Sequence, residues 1–207
     1  LGHYTDAALT TRELAKMIKE AGLDFANLPE SEFDDPFGQA SGGGAIFGAT
    51  GGVMEAALRL AARTLGDEDE PIVFDEVRGT KGIKEATYTL GGVTVNVAVA
   101  SGLGNARKVM EDIKSGKKNY TFVEIMACPG GCINGGGQPY IHDEVRNNMD
   151  LKTLRSLALY DSDRYNKYRI SDQPPAVKKL YEEFFGEPNS ERAHELLHTH
   201  YIARPKY

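Results

Sequence analysis

The chain has 207 residues, 41% of them hydrophobic and 26% charged. This composition is typical of a globular protein with one domain, or one domain and an appended lobe. Its 24 basic and 30 acidic residues give a net charge of −6, which argues against a nucleic-acid partner. No apolar run approaches the roughly 18 residues of a membrane-spanning helix. No secretory signal is visible, so a cytoplasmic protein without a membrane span is expected.

The first predicted element is an amphipathic helix that begins after Thr10. Thr10 and Glu13 have the spacing of a capping box, and Gly22 suits the C-terminal end of the helix. Apolar residues follow at helical spacing: Leu14, Met17, Ile18 and Ala21. We therefore expect this helix to pack one face against a core. Residues 27–43 are polar and rich in turn formers, and they are predicted to form a loop.

Glycines dominate the next segment, residues 41–52. Residues 45–47 are apolar and predict a short strand, and residues 53–64 predict a helix after the glycine turn. Such a turn could hold an anion at the helix N-terminus, or it could simply allow the helix to approach the strand closely. Nucleotide binding is not expected, because the segment has neither the Lys-Ser/Thr pair of a Walker A motif nor the G-x-G-x-x-G pattern.

The middle of the chain predicts most of a sheet. Residues 71–77 are expected to form a strand, and residues 86–90 and 93–100 a hairpin around Gly91 and Gly92. Alternating valines at 93, 95, 97 and 99 indicate one buried face. A helix is expected from Gly102 to Lys114, with these side chains inward: Ala106, Val109, Met110 and Ile113. An apolar strand at residues 122–127, expected to be buried, completes a mixed α/β sheet flanked by helices.

The last third of the chain is predicted to be helical. Residues 151–160 favour one helix, and a second is expected from Pro174 to Phe185, with Ser171 or Asp172 as its cap. A final helix should begin after Ser190 and reach about His200. We therefore divide the chain into an α/β lobe, residues 1–143, and a C-terminal helical arm packed on it, residues 144–207.

Both cysteines lie in one stretch, FVEIMACPGGCINGGGQP, residues 122–139. The strand predicted there would deliver Cys128 to a loop in which Gly130 and Gly131 remove side-chain bulk. Cys128 and Cys132 on such a loop suit an iron–sulfur cluster, although a cubane takes four protein ligands and this chain supplies two. The spacing alone also allows a redox disulfide, half of a zinc site, or two structural cysteines beside a turn.

A second motif points to different chemistry. His194, Glu195 and His198 match H-E-x-x-H, the signature of zinc metallopeptidases. Only nine residues follow His198, and the sequence after it lacks the G-x-x-H continuation that would supply a third ligand. A zinc metallopeptidase is therefore kept only as a distant alternative.

The whole cysteine stretch is more specific than its spacing. Residues 126–139 resemble the third cluster-binding signature of iron-only (FeFe) hydrogenases. Residues 44–59 resemble the glycine-rich turn of that family, and residues 194–201 resemble its C-terminal helix. The resemblance runs from about Leu9 to Tyr201, nearly the whole chain.

This resemblance implies a cofactor, a reaction and roles for individual residues. In the family, a 4Fe-4S cubane joined to a di-iron centre (the H-cluster) catalyses reversible H2 oxidation and proton reduction, an anaerobic hydrogen metabolism. By position, Cys128 would be a terminal cubane ligand, and Cys132 would bind the cubane and bridge to the di-iron part. Met126 would pack beside the di-iron centre, and Phe47 and Gly48 would help to line its pocket. No certain catalytic residue is assigned in this chain.

The departures from the family pattern define what else is needed. The first two cluster-binding signatures are absent, so the chain looks like the C-terminal half of the catalytic domain. We expect it to be inactive alone, with its cluster absent or incomplete, and to need the complementary N-terminal half. A ferredoxin-type or NAD(P)-linked electron carrier would act through that half. A non-catalytic iron–sulfur assembly or sensory relative is the alternative, and a purely scaffolding lobe is a further one.

Overall fold

A three-stranded mixed sheet lies at the centre of the computed structural model, which describes residues 6–32, 39–66, 74–200 and 202–203. Its strands are β1 (Ile83–Leu90), β2 (Val93–Ser101) and β3 (Phe122–Met126), in the order β1-β2-β3. β1 and β2 form the predicted antiparallel hairpin, and β2 pairs with β3 in parallel. The predicted mixed sheet flanked by helices is confirmed. Within the described residues, no helix is long and apolar enough to cross a membrane.

Eight α-helices lie within the described residues. They are α1 (Thr11–Glu20), α2 (Gly42–Ala45), α3 (Gly52–Thr64), α4 (Leu103–Lys114), α5 (Asp143–Asn148), α6 (Leu151–Tyr165), α7 (Pro175–Leu180) and α8 (Glu191–Leu197). Short 3-10 turns occupy Phe25–Asn27, Ile46–Gly48, Asp75–Val77 and Cys132–Asn134. A π-helical turn, Tyr181–Phe185, continues α7.

The central strand β2 is covered on both faces, which corrects the prediction of one buried face. Val97 and Val99 are fully buried in a cluster with α3, while Ala98 and Ala100 are fully buried in a cluster with α4. The two helices explain this, because one lies on each side of the sheet. Val93, at the hairpin end of the strand, is 50% exposed. On α4, Ala106 and Val109 are buried as predicted, but Met110 is 51% exposed.

The strand predicted at residues 45–47 is wrong. These residues lie at the end of α2 and in the 3-10 turn that follows it. Ser41 caps α2 by accepting a hydrogen bond from the Gly44 N–H at 3.1 Å. The amides of Gly42 and Gly43 donate to the carbonyls of Tyr168 and Arg169, so the glycine segment packs on the C-terminal region instead of joining the sheet.

The strand predicted at residues 71–77 is also wrong where it can be compared. Asp75–Val77 forms a 3-10 turn, and residues 71–73 lie outside the described residues. Phe74 and Val77 are nevertheless buried, and they pack into the same cluster as Val97 and Val99. The apolar pattern therefore marks core residues that lie in a turn.

The first helix and the last strand carry apolar side chains that this chain leaves exposed. α1 forms with the predicted capping box, but none of its residues is buried, and Leu14 and Met17 are about half exposed. β3 forms as predicted, but Phe122 and Ile125 are 43% and 45% exposed. β3 lies at the edge of the described sheet, with β2 as its neighbour on one side. The expected packing of α1 and the expected burial of β3 are therefore wrong for this chain by itself.

The C-terminal helices form where they were predicted, with different ends. α6 extends past Tyr160 to Tyr165, and α8 ends at Leu197, before the expected His200. Ser190 caps α8 as predicted, because its Oγ accepts the Ala193 N–H. The cap of α7 is Pro174, with no side-chain hydrogen bond, so Ser171 and Asp172 do not have the predicted role.

A buried ionic network joins α3 to α6. Arg59 is fully buried and donates to Asp163 at 2.7 and 2.8 Å and to Glu55 at 2.6 Å. Arg78 also binds Glu55, and Arg169 also binds Asp163. Burial raises the pKa of Asp163, but the hydrogen bonds and charges of the two arginines outweigh burial and hold that pKa below its ordinary value. The network fixes α6 beside the glycine segment.

Candidate metal centre

The cysteine loop begins where β3 ends. Cys128 is partly buried and Cys132 is exposed, and both thiols are free. The Gly131 N–H donates to the Cys128 carbonyl at 3.0 Å, and Cys132 opens a 3-10 turn closed by the Gly135 N–H. Gly130 and Gly131 have φ of +90° and +102°, conformations that favour glycine. The loop therefore presents two thiols from a tightly turned backbone, as the sequence predicted.

Ser101 holds the base of this loop and was missed from the sequence. It ends β2, is 3% exposed, and lies opposite Met126 in the sheet register. Its Oγ accepts the Gly130 N–H at 2.8 Å and donates to the Cys128 carbonyl at 3.3 Å. One hydroxyl thus satisfies two backbone groups of the cysteine loop. A small polar residue at the end of an apolar strand is the signal that could have found it.

The glycine turn and the cysteine loop meet directly. The Thr50 N–H donates to the Gly130 carbonyl at 3.1 Å. A β-carbon on Gly131 would lie 2.5 Å from the Gly48 carbonyl oxygen and 2.7 Å from the Thr50 nitrogen. A residue with a β-carbon fits there only if one of the two backbones shifts. The structure therefore brings together Gly48 and the cysteine loop, two segments that the sequence analysis assigned to one site.

Some side chains at this junction are exposed and others are partly buried. Phe47 is 45% exposed beside Gly48, and Met126 is half-buried at the end of β3. Ile133, just after Cys132, is held by Arg155 of α6, whose Nη1 donates to the Ile133 carbonyl at 2.9 Å. α6 thus contacts the cysteine loop, while Phe47 and Cys132 remain exposed.

The donor set fits part of an iron–sulfur cluster. Soft thiolates suit iron, and a β-carbon on Gly135 would lie 3.7 Å from the Cys128 sulfur, so glycine leaves room beside that thiol. Across the residues described, no group of three or more His, Cys, Asp or Glu could hold a metal. The chemistry of Cys128 and Cys132 is compatible with two of the four ligands of a cubane, and the described residues do not bring a third candidate ligand beside them.

The zinc motif does not form a metal site within the part of the chain that the structure describes. The His194 and His198 rings lie 4.2 Å apart between centroids, so they share one face as the spacing implies. His198, however, lies just past the end of α8, where the backbone is extended. No third ligand accompanies the two histidines among the described residues. The metallopeptidase alternative therefore lacks a ligand set.

Comparison with known proteins shows the family of this chain. Residues 2–136 match the family model "Iron only hydrogenase large subunit, C-terminal domain", and residues 149–204 match "Iron hydrogenase small subunit". The chain is 48% identical over 197 residues to Iron hydrogenase 1 of Clostridium pasteurianum, covering 95% of this chain and 34% of that protein. It is 33% identical over 208 residues to the Cytosolic Fe-S cluster assembly factor narfl of Xenopus tropicalis, covering 97% of this chain and 42% of that protein.

A solved structure is similar over nearly the whole chain. It is a variant of the FeFe-hydrogenase HydA1 from Chlamydomonas reinhardtii, with a TM-score of 0.74 and 40% sequence identity, covering 96% of this chain and 56% of that one. The chain thus spans 34% and 42% of the two relatives named above and about half of this structure. It belongs to the iron-only hydrogenase family.

Proposed function

We propose that this chain provides the C-terminal part of the catalytic domain of an iron-only hydrogenase, an enzyme of reversible H2 oxidation and proton reduction. The junction of the cysteine loop with the glycine turn carries the proposal. Two free thiols, Cys128 and Cys132, lie on a loop whose carbonyl at Gly130 binds Thr50 of the glycine turn. Both segments resemble family signatures, and here they meet at one place.

The residues of this junction have distinct proposed roles. Cys128 and Cys132 would hold a 4Fe-4S cubane, with Cys132 also bridging to the di-iron centre. When bound, this cluster exchanges electrons and supplies the metal centre at which protons are reduced. Met126, Phe47 and Gly48 would line the di-iron side and exclude water, since an apolar shell controls solvent access to a metal site.

The exposed apolar surfaces suit the proposed partner. Four side chains, Leu14 and Met17 on α1 and Phe122 and Ile125 on β3, are 43% to 50% exposed. The complementary N-terminal half of the catalytic domain would cover such surfaces and supply the remaining cluster ligands. The electron carrier, ferredoxin-type or NAD(P)-linked, would act through that half. The division into residues 1–143 and 144–207 and the cytoplasmic location remain predictions.

A second candidate function is iron–sulfur cluster assembly without H2 chemistry. One relative is named as an assembly factor, at 33% identity against 48% for Iron hydrogenase 1. The higher identity to a hydrogenase favours the catalytic proposal. Under the alternative, Cys128 and Cys132 would still hold a cluster but no H2 would be produced.

An H2 assay separates the two candidates. The chain is combined anaerobically with the complementary N-terminal half, loaded with cubane and di-iron cofactor, and assayed for H2 evolution from reduced methyl viologen. The proposal predicts activity in the pair, none in this chain alone, and a loss of at least about a hundredfold in Cys132→Ser. Stoichiometric iron without H2 evolution in the pair would support the assembly alternative and contradict the catalytic one.

A further inference from the structure

Two buried and oppositely charged side chains form hydrogen bonds with one peptide group of the glycine turn. The Lys84 ammonium donates to the Thr50 carbonyl at 3.0 Å, and the Gly51 N–H donates to a Glu124 carboxylate oxygen at 2.6 Å. The Thr50 carbonyl and the Gly51 N–H belong to the same peptide unit. Lys84 is 4% and Glu124 is 5% exposed. A cation therefore binds one end of this peptide and an anion binds the other.

The sheet sets the positions of both charges. Lys84 pairs with Val99 across β1 and β2, and Val99 pairs with Glu124 across β2 and β3. The two charged residues thus flank Val99 in a single row across the sheet, and both reach the N-terminal end of α3. Glu124 also accepts the Met54 N–H at 2.7 Å, and Lys84 also donates to the Gly79 carbonyl at 2.8 Å.

Such a pair needs a reason to persist, because burying isolated charges is strongly unfavourable and an apolar pair of the same volume is often at least as stable. The glycine turn supplies that reason. Gly51 has φ of +92°, and glycine leaves the orientation of the adjoining peptide open to rotation. Charge-assisted hydrogen bonds at both ends fix this orientation, which an apolar contact could not do.

The held peptide continues into the cysteine loop. The Thr50 N–H, one peptide earlier, donates to the Gly130 carbonyl. Gly131 then lies against the Gly48 carbonyl. Glu124 is itself four residues before Cys128 on β3. The pair therefore contacts the glycine turn directly, and the hydrogen bond from Thr50 to Gly130 links that turn to the cysteine loop.

We propose that Lys84 and Glu124 are positioning residues that fix the Thr50–Gly51 peptide and, through Thr50, hold the cysteine loop in the geometry that binds the cluster. This inference rests on the proposed function for the identity of the cluster. The two side chains would order the loop before metal binds. A role limited to capping α3 would leave the cysteine loop unaffected.

The first test uses the chain without metal. Glu124→Gln keeps the side-chain shape, and Lys84→Met removes the cation. Lys118→Met is the matched control, because Lys118 is 41% exposed and pairs with Glu85. Amide hydrogen exchange is followed at Gly51, Met54 and Thr50, and the alkylation rate of Cys128 is compared with that of Cys132. We expect exchange at Gly51 and Thr50 to accelerate at least about tenfold in both pair variants. Alkylation of Cys128 should rise severalfold, with no change in the control.

If Lys84→Met fails to fold, the isosteric Glu124→Gln decides the test. The inference would be overturned by faster exchange at Gly51 and Met54 together with unchanged exchange at Thr50 and unchanged Cys128 alkylation. That result would show that Lys84 and Glu124 only cap α3. Unchanged exchange at all three amides would also overturn it.

The second test uses the chain combined with the complementary half and loaded with a cubane. The EPR g values of the reduced cubane should shift in Glu124→Gln and Lys84→Met and stay at wild-type values in Lys118→Met. Wild-type g values in both pair variants would overturn the positioning role. If the wild-type chain combined with the complementary half binds no iron at all, the proposed function fails. The amide exchange and cysteine alkylation measurements on the chain without metal then still decide whether Lys84 and Glu124 position the loop.

Discussion

Gly131 of the cysteine loop lies so close to Gly48 of the glycine turn that a β-carbon on Gly131 would come within 2.5 Å of the Gly48 carbonyl oxygen. The two residues are far apart in sequence, and each belongs to a different family signature. Their contact joins the segment that carries the thiols to the segment that lines the proposed di-iron pocket. The site therefore depends on backbone approach as much as on its ligands.

The first prediction concerns this contact. Gly131→Ala introduces a side chain at φ of +102° and against two backbone atoms, so it should destabilise the fold by at least about 2 kcal/mol and lower the iron bound by the combined protein. Gly136→Ala is the control, because nothing lies within 4 Å of its added β-carbon. The control should change stability by less than about 0.5 kcal/mol. Denaturant unfolding and iron content measure both effects, and equal behaviour of the two variants would contradict the account.

The second prediction concerns the buried network between α3 and α6. Arg59→Met leaves Glu55 and Asp163 buried with only one arginine each, so it should reduce the free energy of unfolding by about 3–5 kcal/mol. Arg164→Met is the control, since Arg164 is 67% exposed and lies 3.6 Å from Asp161. We expect the control to lose less than about 1 kcal/mol. Urea unfolding of both variants measures the difference, and a loss below about 1 kcal/mol in Arg59→Met would be inconsistent with the network.

The third prediction uses the titration of Lys84. Burial lowers the pKa of Lys84 to about 8 from its ordinary value of 10.5, against the attraction of Glu124. Between pH 8 and pH 10.5, Lys84 binds more protons in the unfolded chain than in the folded chain. The contribution of Lys84 to the free energy of unfolding therefore rises with pH. The neutral amine keeps N–H groups that can donate to the Thr50 and Gly79 carbonyls.

The measurement is the free energy of unfolding at pH 8 to 9.5, below the pH at which unfolded tyrosines ionise. The Lys84 contribution should approach a slope of about +1.4 kcal/mol per pH unit. Lys84→Met should lack this contribution, and Lys118→Met should retain it. A wild-type slope in Lys84→Met would show that Lys84 keeps an ordinary pKa.

The fourth prediction concerns the zinc motif. Because His194 and His198 have no third ligand among the described residues, His194→Ala should leave the zinc content of metal-replete protein unchanged and below stoichiometric. Mass spectrometry of metals after dialysis measures this. Stoichiometric zinc in the wild type, lost in His194→Ala, would revive the metallopeptidase alternative.

Local patterns predicted much of the fold. The Gly91-Gly92 hairpin, the helix after the glycine turn and the caps at Thr10 and Ser190 all depend on residues near one another in sequence, and all form. The cysteine loop was also predicted, because its glycines and thiols stand in one stretch.

Features that depend on distant contacts were missed. Residues 45–47 look like a strand, yet the Gly42 and Gly43 amides bind carbonyls of Tyr168 and Arg169, more than a hundred residues away. Glu124 interrupts the apolar run of β3, which could have marked it as a buried charge, but its partners Gly51 and Met54 lie on another element. Lys84 offered no such signal, because a lysine in a hairpin strand is usually solvated.

Some apolar side chains that the sequence patterns placed in the core are exposed in this chain. Met17 and Phe122 stand at positions where a core side chain was predicted, and the structure leaves both exposed. Hydrophobic periodicity identifies side chains that favour burial. It does not show whether the same chain or another one buries them. The proposed N-terminal half would bury these side chains.

Iron and sulfide content, with EPR, after anaerobic reconstitution tests whether Cys128 and Cys132 belong to a shared cluster site. The chain is measured alone and with the complementary N-terminal half. We expect fewer than four irons per chain alone, a complete cubane signal in the combined protein, and loss of that signal in Cys128→Ser and in Cys132→Ser. A chain that alone binds four irons with H2 activity, or a combined cubane unaffected by both substitutions, would contradict this expectation.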